Sequence, residues 1–112
     1  MQFKTGYSGQ AFVVRCLHER IDAANATEFR AAMRDVAEGS RGPVILDLAA
    51  VDFIDSSGLG AIVAVMKDLS PDRRLELAAP SQNVARVLAL TRMDMVFTIH
   101  RSAPDLDATH AA

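Results

Sequence analysis

Val44-Ile45-Leu46-Asp47-Leu48 leads, through Ala49-Ala50, into Val51-Asp52-Phe53-Ile54-Asp55-Ser56-Ser57-Gly58-Leu59-Gly60. The first segment is a run of branched apolar residues, the pattern of a buried strand. Beyond Asp-Ser-Ser-Gly, apolar residues recur at Leu59, Ile62, Val63, Met66 and Leu69, the spacing of one helix face. The junction therefore places the hydroxyls of Ser56 and Ser57 at the mouth of a helix. Unpaired backbone N–H groups and the positive end of the helix dipole favour an anion at such a mouth. It is a good place to carry a phosphate.

Upstream, Gly6 to Gly9 is a turn signal between a short strand over Gln2–Thr5 and a longer one over Ala11–His18. Asn25 then reads as the N-cap of a helix, with Glu28 as the reciprocal partner of a capping box. Phe29, Met33, Val36 and Ala37 fall at helical spacing, and Gly39 fits the stop. Downstream, Ser70-Pro71-Asp72 ends the helix that starts near Ser56, because proline cannot continue it. Leu75–Ala79 reads as a strand, and Pro80-Ser81 opens a helix with Val84, Val87 and Leu88 on its buried face. Met95–His100 reads as a last strand, and Ser102-Ala103-Pro104-Asp105 as the start of a final helix, before a tail over 108–112 that frays.

The order β-β-α-β-α-β-α-β-α implies an α/β fold with a mostly parallel or mixed sheet, because parallel strands need crossovers. About four to five strands and about four helices, packed mainly on one face, satisfy the pattern. The expected core is Val14, Val44, Ile45, Leu46, Leu48, Phe53, Leu59, Ile62, Val63, Met66, Leu77, Val84, Leu88 and Phe97. No repeat, low-complexity tract or long linker divides residues 1–112, so one domain is expected.

The chain has 112 residues, half of them apolar, and a formal charge of −2. That length and apolar content suffice for a core without disulfides or metal. The charge leaves no footprint for nucleic acid, and Arg73-Arg74 beside Asp72 and Glu76 reads as a solvated turn. Met1-Gln2-Phe3-Lys4 does not open a signal peptide, and Lys67-Asp68 ends the longest apolar stretch well short of a membrane span. A cytoplasmic protein with no direct membrane insertion is expected. The single cysteine, Cys16, fits a reducing compartment and reads as strand packing.

Hydrolase chemistry would need a base for Ser56. A nucleophile elbow requires Gly-x-Ser-x-Gly, whereas Ile54 stands two residues before Ser56. His18, His100 and His110 are scattered, too far apart in the sequence to mark a metal site. Neither an enzyme nor a cofactor is expected. Met93 and Met95 read as core filling, with an exposed interaction patch as the alternative.

The chain resembles the STAS domain, the fold shared by bacterial anti-sigma factor antagonists and the cytoplasmic tails of sulfate transporters. The resemblance rests on Val44–Leu48, on Val51–Gly60 with its Phe-Ile-Asp-Ser-Ser-Gly-Leu-Gly core, and on Ala78-Ala79-Pro80, Val84–Leu88 and Met93. In antagonists the first serine of Asp-Ser-Ser-Gly is phosphorylated by the anti-sigma factor, itself a serine kinase. Carried over, that serine is Ser56. The resemblance implies that the unmodified protein binds the anti-sigma factor/serine protein kinase and frees the sigma factor. A phosphoserine phosphatase of the metal-dependent class would reset it, while ATP and magnesium sit on the kinase. Asp22, Asp55, Ser57, Gly58 and Leu59 would shape the docking surface, and Glu19 stands where antagonists usually carry glycine. An alternative within the same family is a STAS subunit of a membrane transporter for lipid or anions, acting as a constitutive assembly partner.

Overall fold

A computed structural model describes residues 1–107. The strands are β1 (Phe3–Ser8), β2 (Ala11–Cys16), β3 (Arg20–Ile21), β4 (Val44–Asp47), β5 (Phe53–Ile54), β6 (Leu75–Ala78) and β7 (Ile99–His100). The helices are α1 (Ala26–Glu38), α2 (Ser56–Leu69) and α3 (Gln82–Leu90), with a 3-10 turn over Met93–Met95. Five strands form a mixed sheet in the order β1-β2-β4-β6-β7, antiparallel between β1 and β2 and parallel elsewhere. β3 and β5 form a separate parallel pair.

Strand alternation divides the sheet into two faces. Phe12, Val14, Cys16, Val44, Leu46, Leu75 and Leu77 share one core with Phe29 and Met33 of α1, Ile62 and Val65 of α2, and Val84 and Leu88 of α3. Burying each large apolar side chain there contributes roughly 1.5–3 kcal/mol. The opposite face carries the smaller cluster Val13, Ile45 and Ala78, against which Leu106 packs. Two polar devices tie the helical layer together. Arg30 of α1 donates to both carboxylate oxygens of Asp68 in α2, each at 2.8 Å. Arg73 donates to the carbonyls of Gly42 and Ala37 and to Ser40 Oγ, closing the C-terminal end of α1.

Several expectations change. Ser102-Ala103-Pro104-Asp105 does not begin a helix, and none forms through residue 107. The segment instead runs across the open sheet face. Leu106 packs over Gly6, where a Cβ would stand 3.0 Å from its Cδ1, and the Asp107 N–H donates to the Tyr7 carbonyl at 2.7 Å. The described residues therefore contain three α-helices where about four were expected, and the frayed tail over 108–112 lies outside them. Gly6 is a strand residue paired with Val13, so the first strand extends to Ser8 and the turn falls at Gly9, whose φ of +59° suits glycine. The last strand shrinks to Ile99–His100 because Met93–Met95 winds into the 3-10 turn.

The expected capping box is also absent. Asn25 stands at the N-cap of α1 without a side-chain cap bond. Its amide bridges the preceding loop instead, accepting from the Asp22 N–H and donating to the Arg20 carbonyl. The Glu28 carboxylate meets the Met1 amino nitrogen at 2.9 Å. Among the expected core residues, Phe53 is the exception: it is 39% exposed, because the alternation of β5 sends Ile54 inward. Leu59, Val63 and Met66 are half-buried against the core. Met93 is likewise half-buried, but Met95 is 80% exposed and fills no core space.

Candidate functional site

Helix α2 starts where the sequence placed it, and Asp55 is the reason. Its backbone is extended, and its Oδ1 accepts a hydrogen bond from the Gly58 N–H at 2.8 Å. This is an N-cap, which satisfies a donor that the first helical turn leaves open. Its second oxygen, Oδ2, accepts from the Ala23 N–H at 3.1 Å, across 32 residues of sequence. One carboxylate thus joins the mouth of α2 to the loop before α1. The Gly58 N–H bond holds the Asp55 carboxyl below the usual carboxylate range; burial opposes this, and the N–H groups of Ala23 and Ser57 add to it.

The cap alters the reading of the helix mouth. The Gly58 N–H is not free for a phosphate, because an ionised side chain of the protein already holds it. Ser56 and Ser57 lie exposed in the first turn. The Ser56 hydroxyl makes no hydrogen bond among the described residues, so nothing in the fold depends on it. Ser56 follows directly on a residue whose negative charge the fold itself stabilises.

Gly58 is buried, and its reason is steric. A Cβ there would lie 1.8 Å from the Ile21 carbonyl oxygen and 2.6 Å from its carbon. Only glycine lets α2 rest on the backbone of β3. Gly60 is the opposite case: it is exposed, and an added Cβ would meet nothing within 4 Å. Leu59 is half-buried and lines a groove of about 650 Å³ that begins at Asp55 and Ser56. Gly60, Val63 and Lys67 of α2 continue it, with Val87, Thr91 and Met93 opposite.

Asp22 sits in a loop that organises itself. Its Oδ1 accepts from the Ala24 N–H and its Oδ2 from Arg20 Nε, at 3.1 and 3.0 Å, while its carbonyl accepts from the Asn25 and Ala26 N–H groups. Through the Ala23–Asp55 bond this loop reaches the Ser56 junction, so the two segments singled out in the sequence meet in space. Glu19 turns its side chain to solvent and lends only its carbonyl, which accepts from Asp52 at 2.7 Å and Phe53 at 3.1 Å. Its φ lies outside the left-handed region, so this loop needs no glycine at that position.

Sequence reading missed the outward pair beside the site. Arg20 and Phe53 are register partners in the β3–β5 ladder, with the guanidinium carbon 4.3 Å from the ring centroid. The signal was the alternation Arg20-Ile21 and Phe53-Ile54, too short to read as strands. The histidines are engaged elsewhere: His18 Nε2 accepts from the Gln2 N–H, and His100 lies 2.6 Å from Glu76. His110 lies outside the described residues. No group of metal-ligating side chains forms among the described residues, and no helix there is long and apolar enough to cross a membrane.

The STAS domain family matches residues 7–106. The chain belongs to that family. A Thermotoga maritima protein, provisionally named an anti-sigma factor antagonist, is 38% identical to it over 58 residues. That match takes in 51% of each chain, so the chain spans about half the length of this curated relative. A Thermotoga maritima protein with the same provisional naming, solved by crystallography, superposes with a TM-score of 0.72 at 25% identity, over 97% of this chain and 90% of the other. The Bacillus cell-fate determinant SpoIIAA, solved in its phosphorylated form, has a TM-score of 0.59 at 19% identity, over 98% and 96% of the two chains. At that identity the likeness is one of fold. The mixed sheet with its helices on one face is the STAS arrangement, and Asp55-Ser56-Ser57-Gly58 opens its second helix.

The two glycines of this STAS helix should respond oppositely to alanine. Gly58→Ala forces a Cβ into backbone and is expected to cost at least about 3 kcal/mol of unfolding free energy. Gly60→Ala is expected to add roughly 1 kcal/mol through helix propensity. Urea denaturation of both variants checks the contrast.

A pH dependence follows from the Asp55 cap. Its folded-state carboxyl ionises below the ordinary range, so its stabilisation is complete above the unfolded pKa of about 3.9 and is lost as pH falls through the lower folded value. Asp55→Asn cannot follow this titration. The stability gap between wild type and Asp55→Asn, from urea unfolding across pH, should be widest near neutrality and narrow below the usual aspartate range. A gap that stays constant down to the lowest pH would remove the assigned cause.

Proposed function

We propose that the chain is an anti-sigma factor antagonist that works by partner switching, with Ser56 as its phosphorylation site. The observation that carries this reading is the state of Ser56: exposed, without a hydrogen bond among the described residues, and next to an ionised cap. The family assignment and the relative's name agree with it. In this reading the unmodified protein binds an anti-sigma factor that is also a serine kinase. Docking withdraws the anti-sigma factor from its sigma factor and so regulates transcription. Phosphorylation releases the complex, and a phosphatase of the metal-dependent class restores it. The chain acts as a binding protein, not an enzyme, and works in the cytoplasm.

The physical basis of release is charge. A phosphoserine adds about 1.5 to 2 negative charges near neutral pH. On the free protein the phosphate stays hydrated and uses no atom on which the fold depends. Against a partner it would be desolvated beside Asp55, and an unpaired buried charge is strongly unfavourable. Asp55, Ser57 and Leu59 share the docking surface with Ser56. Asp22 and Gly58 act from beneath, by shaping the loop and seating the helix.

Incubation with a serine-kinase anti-sigma factor and ATP should place one phosphate on Ser56, absent in Ser56→Ala. Ser56→Asp should weaken binding of the unmodified form's partner at least about tenfold by calorimetry. Phosphate mapped to another residue, or unchanged affinity of Ser56→Asp, would remove the proposed switch.

A further inference from the structure

Over Phe53, three residues before Ser56, the protein holds an arginine ready for use. In the parallel register of β3 and β5, Ile21 pairs with Ile54 and Arg20 with Phe53. Both isoleucines are buried, and the pleat turns the other pair outward. The Arg20 guanidinium lies over the Phe53 ring at 4.3 Å, a cation–π contact. Its Nε donates to Asp22 Oδ2 at 3.0 Å, and that aspartate is itself held by the Ala24 N–H. The guanidinium is therefore held on two sides, yet the side chain remains 59% exposed. The Arg20 side chain makes no further hydrogen bond among the described residues. A guanidinium carries five N–H donors, and only the Nε donor is used here.

The geometry points to Arg20, with Phe53 beneath it, as the specificity contact of the docking surface, reading a carboxylate side chain of the anti-sigma factor. This rests on the antagonist reading and deepens it. An arginine held in one conformation loses less side-chain freedom on binding than a free one, and its planar fork accepts a carboxylate bidentately. Arginine and exposed aromatic residues supply interface hot spots far above their share. Charge complementarity selects the occupant. Glu19 and Asp52, both exposed, each stand one residue before a member of the pair, so in the parallel ladder they lie at the same end of it and repel an acidic group placed there. The guanidinium is where a partner carboxylate finds unused donors. Phe53, 39% exposed, offers the apolar contact that surrounds such a pair.

The test uses the full unmodified chain and a serine-kinase anti-sigma factor. Arg20→Gln should weaken binding about tenfold and Arg20→Glu about a hundredfold, with Arg20→Lys between wild type and Arg20→Gln. Replacing the matching partner carboxylate by arginine should restore binding to Arg20→Glu, which a merely structural role for Arg20 could not produce. Circular dichroism of each variant reports folding. Affinities of Arg20→Gln and Arg20→Glu within about twofold of wild type would overturn the inference while leaving the antagonist reading intact. Absence of any binding by wild type would fall on the antagonist reading and take the inference with it. Phosphorus NMR of the Ser56-phosphorylated protein gives the remaining arm. A phosphate titration that moves on Arg20→Gln would mean that Arg20 captures the protein's own phosphate, which also overturns the inference; an unchanged titration is expected.

Discussion

Helix α2 lies directly on the backbone of β3, and the site is built around that contact. No side chain fits between Gly58 and the Ile21 carbonyl. Because the two backbones touch, Asp55 can cap the helix with one oxygen and hold the Ala23 N–H with the other. The same approach lets β3 and β5 pair over two residues only, sending Ile21 and Ile54 into the core and Arg20 and Phe53 outward. Isolated two-residue strands have little stability of their own. The pair persists because the isoleucines are buried and because the Glu19 carbonyl takes both the Asp52 and Phe53 N–H groups.

What could be read from the sequence was local, and what could not was made elsewhere in the fold. Val44–Asp47, the start of α2 at Asp55-Ser56 and the start of α3 at Ser81 follow from apolar spacing and capping chemistry within a few residues, and they stand where those signals put them. β3 and β5 carry no period long enough to detect, since each exists only through a partner far along the chain. Asn25 and Glu28 have the spacing of a capping box, but the loop across Asp22 and Arg20 takes the amide. Ser102–Asp105 has a helix-start composition that loses to burial of Leu106 against Val13 and Ile45. In each of these failures a tertiary contact outweighed a local preference.

The helix mouth shows how a correct local rule can mislead about use. An N-terminus favours an anion, and the sequence invites a phosphate there. The structure supplies the anion from within, as Asp55, whose carboxyl the Gly58 N–H bond holds below the usual carboxylate range. A phosphate on Ser56 is thus a second negative charge, not the first. In water the repulsion is screened; at an effective dielectric of about 20, near a protein surface, the same pair interacts roughly four times more strongly. In the proposed switch the mark would be tolerated on the free protein and rejected under a partner because the dielectric changes on docking.

That difference also argues against a conformational relay. A relay needs an element with two packed states, and a ligand that favours one of them. In the elements that carry the site, Ile21 of β3, Ile54 of β5 and Ile62 of α2 are all at 2% exposure or less, with Gly58 against backbone and Asp55 bonded on both oxygens. Packing this dense offers no alternative arrangement for a phosphate to select. The exposed features, by contrast, are already in position: Ser56, the groove along α2, and Arg20 over Phe53. In the proposed role the information passes through surface charge on a rigid platform, so partner choice is set by which side chains line that platform. Arg20 is the cation among them closest in sequence to Asp22, and its complement should be found on the partner.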